Sequence, residues 1–169
     1  MTTLRRLHPD DAALLPQLVE VLRDAIAAGA SIGFLERDGT QELGNYWHGV
    51  FKSLGPGLVS WIAEDGGQVV GTVQLAPCQR SNGRHRGDVQ KLLVLGSAQG
   101  RGVATRLMDA VEGHARDCGL SLLVLDTHSG SRAETLYRNR GWLAAGSIPG
   151  YAGVPDGSLI ATTYFYKQL

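Results

Sequence analysis

The sequence predicts one α/β domain: a single mixed sheet of about seven strands with helices on both faces. Three observations lead there. Across the 169 residues, strand-like and helical patterns follow in the order strand, two helices, three strands, helix, strand, helix, two strands. The apolar runs Leu92–Leu95 and Leu122–Leu125 flank a helical stretch, the pattern of a right-handed crossover between parallel strands. Asp65-Gly66-Gly67 separates two further strand-like runs and marks a hairpin, so part of the sheet is antiparallel.

Taken in order, Leu4 to Leu7 reads as an edge strand, and His8-Pro9-Asp10-Asp11 as a turn that can cap a helix. Leu14, Leu15, Leu18, Val19, Leu22 and Ile26 recur at helical spacing. Pro16 fits only a first turn, so the regular helix begins near Leu15, and Gly29 stops it. A partly apolar loop, Gly29 to Leu35, leads to a second helix with Leu43, Trp47, Val50, Phe51 and Leu54 on one face, ended by Gly55-Pro56-Gly57. Trp47 and Phe51 read as core.

Leu58–Glu64 and Gln68–Ala76 form the hairpin strands, and polar Gln79 to Gly87 reads as a solvated tip before the central strand Asp88–Leu95. The next helix is expected to bury Val103, Leu107, Ala110, Val111, His114 and Cys118, and to stop at Gly119. Ser121 to Asp126 is a strand. Ser131-Arg132-Ala133-Glu134 has the Ser-x-x-Glu form of a capping box, so a short helix runs to about Arg140. Trp142 to Ser147 begins a strand, Tyr151 to Gly157 lies in a loop, and Ala161 to Tyr166 is the last strand.

Composition excludes several classes of function. Sixteen basic residues balance sixteen acidic ones, which gives no general attraction to nucleic acid or an acidic membrane. No apolar run approaches the ~20 residues that span a bilayer, and the N-terminal segment lacks the apolar region of a secretory signal. Cys78 and Cys118 are too few for a disulfide framework and show no metal-ligand spacing, so the expectation is two reduced thiols, no metal and a cytoplasmic protein. Neither cysteine has a sequence neighbour that marks it as an acyl-carrying nucleophile.

The chemistry concentrates at Gln99-Gly100-Arg101-Gly102-Val103-Ala104-Thr105, which follows the central strand and opens a helix. A helix start offers unpaired N–H groups and a partial positive charge, and glycines let an anion approach the backbone. The P-loop pattern fails, because no Lys-Ser or Lys-Thr follows. The dinucleotide fingerprint fits Gly100 and Gly102 but finds Thr105 in third place.

Gln99-x-x-Gly102-x-Ala104 does resemble the pyrophosphate loop of the GNAT (GCN5-related N-acetyltransferase) superfamily, and Ala133-x-x-Leu136-Tyr137-x-x-x-Gly141-Trp142 resembles its AxxLYxxxGF segment. Within that superfamily, Gly29 to Phe34, Asp88 to Leu92, Leu125-Asp126-Thr127 and Pro149 to Gly157 are similar to the tabtoxin resistance acetyltransferases. The resemblance implies a mostly antiparallel sheet with a splayed central parallel pair. It also implies acetyl-CoA as cosubstrate, held by backbone of Leu93, Val94 and Leu95, by Gln99 to Thr105, and by Ser131, Ala133 and Tyr137. Asp88 and Asp126 become the candidate bases and Tyr137 the general acid that faces the leaving sulfur. The related proteins carry Glu at the first of these positions, so the shorter Asp88 would reach through a bridging water. They also often carry Asn where this chain has Gly130, so a contact there would fall to Ser129, Ser131 or backbone.

The function implied is transfer of an acetyl group to a primary amine of a small tabtoxin-like or amino-acid-like molecule, by direct attack in a ternary complex. Ser31, Phe34 and Tyr151 are the candidates to close over that substrate. Two alternatives remain at this point: an N-acetyltransferase acting on peptides or proteins, and a non-catalytic acyl-CoA-binding module. The chain is expected to work as a monomer or a homodimer.

Overall fold

The computed structural model describes residues 1–169. Seven strands and four α-helices appear in the predicted order: β1 Thr3–Arg6, α1 Leu15–Ala27, α2 Thr40–Ser53, β2 Val59–Asp65, β3 Gln68–Pro77, β4 Arg86–Val94, α3 Val103–Asp117, β5 Leu122–His128, α4 Arg132–Asn139, β6 Leu143–Gly153 and β7 Leu159–Gln168. They build one seven-stranded sheet in the order β1-β2-β3-β4-β5-β7-β6. Every neighbouring pair is antiparallel except β4 and β5, the pair joined through α3.

Each face of the sheet takes a helix layer. On one face α3 comes close to β3 at Gly71, where an added Cβ would lie 2.9 Å from the Leu93 carbonyl oxygen and 3.1 Å from Leu107. On the other, α2 reaches Gln74, three residues along β3 and so on the opposite side, through a 3.0 Å bond from the Tyr46 hydroxyl to Gln74 Oε1. Trp47 is completely buried, and its indole N–H donates to the Leu18 carbonyl at 2.9 Å, which ties α2 to α1. Phe51 is only half-buried at the rim of that core.

Two expectations need correction. Of the residues assigned to the buried face of α3, Val103, Leu107 and Val111 are buried, Ala110 and His114 are half-buried, and Cys118 is exposed. The helix ends at Asp117, and Gly119 (φ +74°) turns the chain back before Cys118 meets the sheet. Cys118 is also not isolated: its Sγ lies 3.4 Å from His114 Nε2, one helical turn away. Second, β6 runs on through Pro149 and Gly150 to Gly153 and so includes Tyr151, which was expected to open a loop that ran to Gly157. Pro is tolerated there because β6 is the edge strand, and Gly150 (φ +61°) takes up a register shift between Ile148 and Ala152.

Candidate active site

The site is made by a break in the sheet. Along the β3–β4 ladder the register passes from Gln74↔Gln90 to Thr72↔Leu93, so Lys91 and Leu92 together oppose Val73. This is a β-bulge, and Lys91 adopts φ 51° within it, the one residue other than glycine with positive φ. The Thr72 hydroxyl pins the distortion by donating to the Lys91 carbonyl at 3.0 Å. On its other edge β4 pairs with β5 only at Arg86↔Leu122, Gly87↔Leu123 and Asp88↔Val124. Beyond Asp88 the two strands part. The gap continues into a cavity of about 490 Å³, walled by β4, β5, the loop before α2, the start of α4, and Tyr151 and Tyr164.

Past the gap, the chain presents a row of free amides. The N–H groups of Gly100 through Thr105 meet no backbone acceptor, and no side chain caps α3. Gly100 (φ +74°) and Gly102 (φ +77°) hold the left-handed conformations that turn successive N–H groups outward. Gln99 buttresses this loop from behind, donating from Nε2 to the Val94 carbonyl at 3.2 Å, while exposed Arg101 is drawn aside to Asp65 at 2.6 Å. Rich in free amides and at a helix start, the segment has the chemistry to hold a phosphate-like anion.

Of the three strand residues expected to offer backbone, Leu95 is already committed: its N–H donates to the Val70 carbonyl at 2.9 Å. Strand alternation turns the Leu93 N–H to the same side and leaves Val94 facing the gap. The Leu93 and Leu95 side chains are buried core.

The two acids sit closer in height than their sequence positions suggested. Asp88 pairs with Val124, so Asp126 lies two residues further along β5 on the same face, about 6.6 Å along the strand by its rise. Both line the cavity. Enclosure pushes the Asp88 carboxyl above the ordinary carboxylate range, with Arg86 opposing. Asp126 remains open to solvent, yet partial desolvation raises its carboxyl too; Lys91 opposes that rise and the Asp88 charge adds to it. A carboxylate with raised affinity for protons is the better general base near neutrality.

Tyr137 is 6% exposed, held between Trp142 and Phe165 with ring centroids 5.9 and 6.1 Å away. It lines the cavity, and no hydrogen bond to its hydroxyl contributes to its electrostatics. Burial, with the charge of Asp126 adding, pushes the phenol well above its ordinary range, so it stays protonated. The helix that carries it is fixed at both ends. Ser131 Oγ caps Glu134 N at 3.2 Å, as the capping box predicts, although the Glu134 carboxylate reaches back to the Gly130 N–H. Beyond its far end, buried Glu112 accepts from Trp142 Nε1 at 3.1 Å and from Lys167 Nζ at 2.8 Å.

Ser131 and Ala133 line the cavity, as do Ser31 and Tyr151. Ser31 Oγ donates to the Gly153 carbonyl at 3.0 Å, and the Tyr164 hydroxyl to that of Tyr151 at 2.5 Å, which pushes Tyr164 up to about 12. Phe34 departs from expectation. It lies outside the cavity wall and packs edge-on against Tyr46, centroids 5.5 Å apart, because that ring offers it an apolar face. Sequence reading also passed over Lys91, Tyr164 and His128 on the cavity wall. Lys91 had left a signal, a lone charge inside an apolar strand run.

No group of three or more His, Cys, Asp or Glu side chains gathers to hold a metal ion, and no helix is long and apolar enough to cross a membrane. The profile of the acetyltransferase (GNAT) family matches residues 20–142. The chain belongs to that family. It is thereby an acetyl-CoA-dependent N-acetyltransferase, and acetyl-CoA is its acyl donor. An uncharacterized N-acetyltransferase from the hisH-hisA intergenic region of Azospirillum brasilense is 28% identical over 145 residues, 85% of each chain. N-acetyltransferase 8 of Mus musculus is 40% identical over 88 residues, which make up 51% of this chain but only 39% of that one. Among solved structures, a ribosomal-protein-alanine N-acetyltransferase from Brucella melitensis matches over 99% of both chains with a TM-score of 0.82 at 22% identity. A phosphinothricin acetyltransferase from Sinorhizobium meliloti, solved with acetyl-CoA, matches 99% of this chain and 88% of its own with a TM-score of 0.78 at 18% identity. At these identities the structural likeness establishes the GNAT fold.

Proposed function

We propose that the chain acetylates a primary amine on a small molecule, tabtoxin-like or amino-acid-like, by direct attack on acetyl-CoA in a ternary complex. One observation carries this reading: two carboxylates and a protonated tyrosine line one cavity where β4 and β5 part after Asp88 and Val124, and a row of free amides follows β4 at the start of α3. The amides of Gly100 to Thr105 hold the pyrophosphate, and the Val94 N–H faces the thioester carbonyl, where a donor stabilises the developing oxyanion.

An alkylamine, with its pKa near 10, arrives as ammonium at neutral pH. Asp126 or Asp88 takes a proton from it, the second through a water. The free amine then forms its N–C bond to the acetyl carbon as the C–S bond breaks, and the acylated nitrogen gives up its second proton to solvent. Tyr137 supplies the proton that the departing thiolate needs, and solvent restores it. Cys78 stands half-buried outside the cavity wall and Cys118 lies at the far end of α3, so neither is placed to carry the acetyl group.

A small acceptor is favoured over a peptide by the way the cavity is fenced. The loop before α2 is tied to the end of β6 by Ser31 to Gly153 and to the turn beyond it by the Glu36 N–H to the Pro155 carbonyl at 2.9 Å. The two free thiols and the need for acetyl-CoA support a cytoplasmic site of action. The test is a thiol-release screen that sets tabtoxin-like dipeptides, amino acids and polyamines against longer peptides. Higher kcat/KM for a small amine is the expected result, and preference for extended peptides would overturn the reading.

A further inference from the structure

Lys91 is the one cation on the cavity wall that the chemistry above leaves unused, and its surroundings are unusual for a lysine. Its backbone is held in the left-handed region, a conformation that a residue with a Cβ rarely adopts. Its ammonium is turned inward, where Nζ donates to the Ile32 carbonyl at 2.8 Å and sits 5.4 Å from the centre of the Tyr46 ring. Burial lifts the Tyr46 phenol to about 12, so the lysine rests on a neutral ring. No carboxylate approaches Nζ within the 4.0 Å of an ion pair. An ammonium has three N–H donors, and the chain satisfies one of them fully.

A largely enclosed cation with no carboxylate in contact, offset only by the more distant charge of Asp126, is incompletely compensated, and a ligand anion would complete it. Desolvation lowers the proton affinity of Lys91 and the charge of Asp126 raises it, so an arriving carboxylate would favour the charged form further. The pyrophosphate is not that anion, since the free amides for it lie beyond the far end of β4.

We propose that Lys91 is the anion anchor for the acceptor: it binds a carboxylate carried by the same small molecule whose ammonium faces Asp88 and Asp126. The acceptor is then zwitterionic, an amino acid or a short amino-acid derivative with a free carboxylate. This rests on the small-amine reading above and names which small amines.

The experiment pairs amino acids with their carboxamides, which keep the amine and lose the negative charge, in a thiol-release assay on the full chain. The ratio of kcat/KM for acid over amide is expected to exceed about tenfold, the scale of one charge-assisted hydrogen bond. Lys91→Met should collapse that ratio toward one. Lys91→Gly removes the charge while relieving the φ strain, and should collapse it equally, which separates charge from folding. Retained acetyl-CoA binding by both variants shows that they are folded. The anchor is overturned if the wild-type chain does not distinguish acid from amide, or if the variants keep the wild-type ratio. If neither acids nor amides release thiol while longer peptides do, the small-amine reading falls and takes the anchor with it.

Discussion

At the residue scale, proton inventory separates the roles of Asp88, Asp126 and Tyr137. Tyr137→Phe keeps the ring between Trp142 and Phe165 and removes only the hydroxyl. It is expected to lower kcat by about tenfold or more while acetyl-CoA affinity holds; unchanged turnover would remove its role as acid. Asp88→Asn and Asp126→Asn divide the work of the base. The variant that loses the proton acceptor should drop kcat by about a hundredfold or more, and the other should act mainly on KM for the amine. Because both carboxyls are shifted upward, the acid limb of kcat/KM against pH should fall above the ordinary carboxylate range. The sign follows from the role: the base works when ionised, so activity rises as pH climbs through the raised pKa. An acid limb in the ordinary range would contradict the desolvation argument.

At the element scale, the account depends on β4 and on the turn into α3. Gly102 has open space around its Cβ position, so a side chain there meets strain from φ +77° and obstructs the approach to the free amides, with no clash in the core. Gly102→Leu is expected to raise the acetyl-CoA Kd by about tenfold or more with the fold retained, as isothermal titration can show; wild-type affinity would remove the pyrophosphate assignment. The placement of α4 rests instead on buried Glu112. Glu112→Ala takes the carboxylate from Lys167, which keeps only the Arg140 carbonyl, and the acceptor from the Trp142 N–H, and should cost about 3 kcal/mol in denaturant unfolding. A loss below about 1 kcal/mol would mean that packing alone holds Trp142 in place.

At the scale of the whole molecule, local patterns carried the element order, because they survive in a linear string. Hydrophobic spacing gave α1 and α2, the Asp65-Gly66-Gly67 turn gave the hairpin, and Ser131 with Glu134 gave the start of α4. The glycine loop was legible for the same reason, since Gly100 and Gly102 stand where only positive φ serves. What the string hid was long-range. The bulge at Lys91 depends on β3 across the ladder, and the short β4–β5 pairing decides where the cavity opens. Asp88 and Asp126 reach one cavity because β4 starts at Arg86 and pairs Asp88 with Val124, two residues before Asp126, a register that no local pattern records. Phe34, in the loop before α2, was misplaced because nothing local showed that the loop folds back onto Tyr46 of that helix. The edge strand β6 extends the same lesson to assembly: no residue from Leu143 to Gly153 is charged, and Leu143, Ile148 and Tyr151 are exposed. An uncharged, exposed edge favours the homodimer of the two expected states, and light scattering should give twice the 18.0 kDa chain mass; a single-chain mass would favour the monomer.

The central claim is direct transfer from acetyl-CoA to a small amine at the cavity between β4 and β5. Its most direct measurement is a single-turnover reaction with excess enzyme, following free CoA thiol and N-acetylated amine together. The two products should appear at one rate and in equal amounts, only when the amine is present. Thiol release that precedes the amine, or tight acetyl-CoA binding with no transfer to any small amine, would contradict it.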